Sequence, residues 1–154
     1  MTMAQKTLTH IPFLYRFVFL WFEPLAAFGG SLILWFAPAL FLNTMSPTSI
    51  YAPDSQVMYD QIAATYTLFA YNEAILLRST NDFRVWRTVV IGILICDVLH
   101  MYASWAALGS VFWTPGIWRW EDWVNLGSLW GQAAVRVAFL VGFGLEDNVR
   151  DKRH

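Results

Sequence analysis

Asp97 and His100 stand one helical turn apart in an otherwise apolar stretch, and they are the pair in this sequence best suited to chemistry. At a spacing of three, a carboxylate and an imidazole share one helix face. Burial and mutual attraction act on their protonation in opposite senses, and a balance near neutrality suits a general acid or base. A carboxylic acid in a dry pocket walled by Trp and Phe could protonate an alkene or epoxide, because aromatic faces stabilise the resulting cation. The matching partner is a lipophilic small molecule, such as an isoprenoid, sterol or polyketide intermediate. Glu23 and Arg136 are the other two candidate catalytic residues, placed to set the field around the pair.

Further polar residues fall at helical spacings in apolar surroundings. Asn125, Ser128, Gln132 and Arg136 recur at intervals of three and four; Thr65 and Asn72 are seven apart, with Glu73 next; Arg16 and Glu23 are also seven apart. Glu73, Asn125, Gln132 and Asn72 are therefore candidate pocket residues. A charge at the centre of a bilayer costs about 2.5–3.5 kcal/mol on insertion scales. Arg136 is accordingly expected within reach of Glu23, Glu73 or Asp97. No cofactor is expected. His100 is the one histidine in an apolar stretch, so a bis-histidine haem site or a zinc site with several histidines cannot form within one chain. Cys96 is read as a packing thiol.

The elements that must position these residues are long and apolar. Of 154 residues, 57% are hydrophobic and 18% aromatic, and only 14% are charged. An ordinary soluble domain is about 25% charged. The mean hydropathy is +0.44. Disorder is excluded by this apolar content. Nucleic-acid binding is excluded by a net charge of -1. Residues 24–53 contain no Asp, Glu, Lys, Arg or His, and about 20 apolar residues suffice to span a bilayer as a helix. The expected fold is all-α, a polytopic membrane protein built as a single four-helix transmembrane bundle over residues 1–154. Its spans are expected at about 12–42, 57–78, 85–108 and 123–145, and the first is too long for a cleavable signal. With a rise of about 1.5 Å per residue, Asp97 then sits roughly 15 Å along its helix from Arg87, near mid-membrane.

Charge gives the orientation. Lys6, Arg78, Arg84, Arg87, Arg150, Lys152 and Arg153 fall on one side of such a bundle and Arg119 alone on the other, so both termini are expected in the cytoplasm. Trp113, Trp118, Trp120 and Trp123 cluster at the opposite boundary, as an aromatic belt does. An endomembrane, the endoplasmic reticulum first among them, is the expected location. Pairing with a second copy of the chain is compatible with all of this.

Several motifs in order carry a resemblance. They are Pro12-Phe13-Leu14-Tyr15-Arg16, Trp21-Phe22-Glu23-Pro24 with Gly29-Gly30, and Asn72-Glu73-Ala74 leading to Leu77-Arg78. Val85-Trp86-Arg87, Asp97-Val98-Leu99-His100, Trp118 to Asn125, and Arg136 before Gly142 complete the series. On these the chain resembles an uncharacterised family of small fungal membrane proteins with four spans. The resemblance implies a fungal source and a multi-pass fold, and brings no activity. A looser likeness of architecture exists to membrane-embedded sterol isomerases and fungal meroterpenoid cyclases. Two functions follow as expectations. One is a membrane-embedded enzyme of isomerase or cyclase type, using acid–base chemistry on a lipophilic metabolite. The other is a non-catalytic scaffold or lipid-binding accessory protein, in which the same polar groups only hold helices together.

Overall fold

A computed structural model describes residues 11–145, and every regular element among them is helical. The basic termini used for orientation, Lys6, Arg150, Lys152 and Arg153, lie outside the described residues. Helix α1 is Phe13–Phe36 and the short α2 is Pro38–Met45. Helix α3 covers residues 56–79, α4 is Phe83–Trp113, and α5 covers residues 120–140.

Proline and glycine set the breaks. The expected first span ran unbroken to Leu42, but α1 stops at Phe36, where Ala37 turns to φ -146° and Pro38 opens α2. The residue before a proline is pushed out of the helical region, so the apolar run is cut although its composition does not change. Asp82 caps α4, its carboxylate accepting the N–H of Arg84 at 2.8 Å. Gly109, at φ 57°, marks the change to a tighter 3₁₀ winding through Trp113. The last helix ends at Leu140, five residues short of the expected span end, and Gly142 and Gly144 turn the chain with positive φ.

Three helices contain a wide π turn: Val18–Phe22 in α1, Asn72–Leu76 in α3 and Trp123–Gly127 in α5. Pro24 follows the first of these. It has no N–H to give the carbonyl of Leu20 one turn earlier, and Arg78 from α3 donates to that carbonyl at 2.5 Å instead.

Helix α1 packs most extensively on α3, and α4 on α5. The close approach of α1 to α3 needs Gly30, where a Cβ would stand 2.9 Å from the Tyr66 ring. The ends of the bundle are tied separately. Tyr15 Oη donates to the carbonyl of Phe143 at 2.7 Å, which joins the start of α1 to the end of α5. Around that tie lies the main apolar core, with Phe19, Leu77, Trp86 and Val90, and Phe139 packed edge-on to Tyr15 and Phe19. At the other end Arg119 donates to the carbonyl of Asn43 at 3.0 Å, joining the α4–α5 connection to the end of α2.

Of the described helices, two, α1 and α4, are long and apolar enough to cross a membrane. Helices α3 and α5 carry more polar residues, Gln56, Asp60, Gln61 and Glu73 in one and Asn125, Gln132 and Arg136 in the other. The outer surface is apolar all the same, with Leu25, Phe28, Ile95, Leu99 and Trp105 exposed.

Candidate functional site

Four helices each send one charged side chain into the middle of the bundle. Glu23 comes from α1, Glu73 from α3, Asp97 from α4 and Arg136 from α5, and all four are buried. The guanidinium of Arg136 is the hub. Its Nη1 donates to Asp97 Oδ2 at 2.5 Å and its Nη2 to Glu23 Oε2 at 2.7 Å. Glu73 Oε1 stands at 3.6 Å from the same Nη2, near enough for charge attraction but too far for a hydrogen bond. Glu73 and Glu23 thus approach the same guanidinium nitrogen, Glu23 closely and Glu73 more loosely.

The π turns account for part of this placement. Glu23 directly follows one, Glu73 lies inside the second, and Asn125 lies inside the third. A π turn inserts one residue, so it shifts the face on which later side chains emerge; such turns are frequent at functional sites.

A cavity of about 180 Å³ adjoins the cluster. The four charged groups, His100, Asn125 and Gln132 line it, together with Cys96, Tyr66 and Phe69. Three buried polar atoms there have no hydrogen-bond partner: Glu23 Oε1, Asn125 Nδ2 and Arg136 Nε. Buried polar atoms are rarely left so, and each costs about 1–3 kcal/mol when unsatisfied.

The structure thus brings Glu23, Glu73, Asp97, His100, Asn125, Gln132 and Arg136 to one cavity. Asp97 and His100 both face it, although among the described residues no hydrogen bond joins them. Asn72 does not line it; half-buried in its π turn, it stands one position from the face that Glu73 uses. Ser128 lines the wall but spends its hydroxyl on the carbonyls of Val124 and Asn125. Thr65 is exposed and bonds back to the carbonyl of Gln61. Arg16 is also exposed, outside the cluster.

Tyr66, Phe69 and Cys96 were not among the expected site residues. The first two had a legible signal, since they precede Glu73 by seven and four positions and so share its helix face. Cys96 lines the cavity too, and its signal was its place four positions before His100 on the same helix face. Among the described residues no group of three or more His, Cys, Asp or Glu is placed to hold a metal ion.

The chain belongs to the family defined by DUF7704, a domain of unknown function, which matches residues 8–146. No curated protein and no solved structure matches it.

Proposed function

We propose that the protein is a four-span membrane protein whose buried charge cluster performs acid–base chemistry, of isomerisation or cyclisation type, on the polar or unsaturated end of a lipophilic metabolite. The observation that carries this reading is the mismatch of three carboxylates and one guanidinium around a single cavity. Arg136 makes close hydrogen bonds to two carboxylates. The third, Glu73, stands at 3.6 Å from the same guanidinium with no hydrogen bond to it, so it is the group left to hold a transferable proton. Three ionised carboxylates around one buried guanidinium leave an excess of negative charge that such a proton offsets. Asp97 and Glu23 then fix Arg136, and His100, on the same helix face as Asp97, takes or returns a proton at the cavity. Tyr66 and Phe69 supply aromatic surface for developing positive charge.

The cavity's size limits what enters. Pockets for drug-sized ligands are about 300–1,000 Å³, so about 180 Å³ admits only the reacting end of a substrate. The remainder would lie in the bilayer. With the fungal source that the motif resemblance implies, the substrate would be a fungal lipid or secondary metabolite, met in the endoplasmic reticulum or another endomembrane; the basic-residue asymmetry supports cytoplasmic termini. The small volume also favours a second reading, a scaffold or lipid-binding accessory protein in which the cluster only joins four helices.

Deletion of the gene, with untargeted lipid and metabolite profiling, separates the two. The enzyme reading expects an accumulated precursor, removed by re-expressing the wild type and not by an equal amount of Glu73→Gln. Full complementation by Glu73→Gln, or an unchanged metabolite profile, decides against it.

A further inference from the structure

At the end of the bundle where α3 turns into α4, a cleft of about 710 Å³ opens beside the first turns of α1. Arg16, Arg78 and Asn81 line it together with Phe17 and Trp21. A second groove, of about 330 Å³, runs between α1 and α3 along Leu25, Phe28, Ala70 and Tyr71. The two share Leu20, Trp21 and Arg78, so a cationic mouth leads into an apolar channel with Arg78 at the junction. Among the described residues no carboxylate lines either one.

Arg78 is held in place before any ligand arrives. Its Nη1 donates to the carbonyl of Ala74 at 2.7 Å and its Nη2 to that of Leu20 at 2.5 Å. Its guanidinium also lies over the Trp21 ring, 4.4 Å from the centroid. A guanidinium has five N–H donors, so these two bonds leave donors for an anion.

We infer that this cleft and groove bind one phospholipid with an anionic headgroup. The headgroup sits on Arg16, Arg78 and Asn81, because arginine recognises phosphate and carboxylate oxygens through paired N–H donors. One acyl chain lies along Leu25, Phe28 and Tyr71. From Leu20 to Phe28 the groove follows α1 for about 12 Å, close to the roughly 15 Å depth of one leaflet's hydrocarbon. A chain entering at Arg78 therefore ends near the middle of the bilayer. The basic end faces the cytoplasmic leaflet, where anionic lipids concentrate. The inference rests on the membrane placement proposed above and not on the acid–base chemistry.

Native mass spectrometry of the purified full chain tests it, with phosphatidylserine, phosphatidylcholine and inorganic phosphate as separate probes. Retention of phosphatidylserine over phosphatidylcholine is expected, weakened by about tenfold in Arg16→Gln, roughly the loss of one charge-assisted contact. Arg78→Gln should weaken it at least as much. Arg16 is exposed, so its variant should keep the wild-type thermal midpoint, and Glu73→Gln should bind lipid like the wild type. Equal retention of the two lipids, or wild-type retention by folded Arg16→Gln, overturns the inference. Displacement of the lipid by millimolar phosphate overturns it in favour of a free-phosphate site. Failure of the unliganded protein to float with phosphatidylcholine vesicles indicts the membrane placement itself.

Discussion

Arg136 and its carboxylates are not equivalent under mutation, and the distances predict the order. Asp97 and Glu23 accept close hydrogen bonds from the guanidinium, whereas Glu73 does not. Breaking a buried ion pair leaves an uncompensated charge and costs about 3–5 kcal/mol. Asp97→Asn should therefore lower the thermal midpoint sharply, and Arg136→Met, which strands three carboxylates, should lower it further. Glu73→Gln should leave the midpoint nearly unchanged while reducing turnover by about 10²–10⁴, the usual loss with a general acid or base. An unfolding series on the three variants checks the order, and an equal loss in all three would mean that Glu73 is a structural ligand of Arg136. A second polar pair lies at the start of α5, away from the Arg136 cluster. Arg119 Nη2 meets Asp122 at 2.7 Å and holds that carboxyl below its usual range, chiefly through their hydrogen bond. A lowered folded value means that the pair stabilises above the unfolded carboxylate value, about pH 3.9, and that this is lost as pH falls through the folded value. The Arg119 side chain is 32% exposed, so the effect is modest, about 1 kcal/mol or less. Unfolding measured from pH 7 to pH 3 should show a steeper acid decline in the wild type than in Asp122→Asn, and parallel curves would remove the pair's role. The cost of lone buried charges made the members of the Arg136 cluster legible in the sequence. Their ranking was not, because it depends on which carboxylate wins the two best donor positions.

At the scale of elements, apolar length located most of the helices, and backbone chemistry decided where they end. Hydropathy carries the first span past Ala37 because Pro38 is a single uncharged residue among apolar neighbours; the break comes from the ring's demand on the preceding residue. The π turns were illegible for a related reason. A one-residue insertion shows as a phase shift in a polar stripe, and α1 is apolar around nearly its whole circumference between Arg16 and Glu23. Asn125 and Arg136 were nonetheless placed on one face, since three-and-four spacing tolerates a single wide turn. Helix contact provides a sharper test of the α1–α3 interface. A Cβ at Gly30 meets the Tyr66 ring, whereas one at Gly29 meets nothing within 4 Å. Gly30→Leu should cost about 1–3 kcal/mol as overpacking. Gly29→Ala should be neutral or stabilising by up to about 1 kcal/mol, the helix propensity difference. Thermal unfolding of the two variants in one detergent checks this, and equal midpoints would show that α1 and α3 separate more easily than their contact suggests.

At the scale of the whole molecule, two independent ties fix which connections share an end, and charge then orients the bundle. The Tyr15–Phe143 bond puts the start of α1 beside the end of α5, and the Arg119–Asn43 contact puts α2 beside the α4–α5 connection. The turn between α3 and α4 lies at the first end, since Arg78 reaches Leu20 and Trp86 packs with Phe19. In a bilayer, an even number of crossings is the arrangement that satisfies both ties, although α1 and α4 are the two described helices long and apolar enough to cross. Helices α3 and α5 turn Glu73, Asn125 and Arg136 inward to the buried cluster, where a hydropathy average still counts them, whereas Asp60 and Gln61 of α3 stay exposed. Arg78, Arg84 and Arg87 at the first end then predict that this end is cytoplasmic. Single cysteines at Ser49, Gly116 and Asn81, placed in a Cys96→Ala background, test the arrangement in sealed membrane vesicles. A membrane-impermeant maleimide added from the lumenal side should label positions 49 and 116 and spare position 81, and labelling from the cytoplasmic side should reverse the pattern. Labelling of all three from one side would reduce the crossings to a hairpin or to none. In that case the exposed Leu25, Ile95 and Leu99 would need cover from another protein, and the carboxylate cluster would no longer be intramembrane.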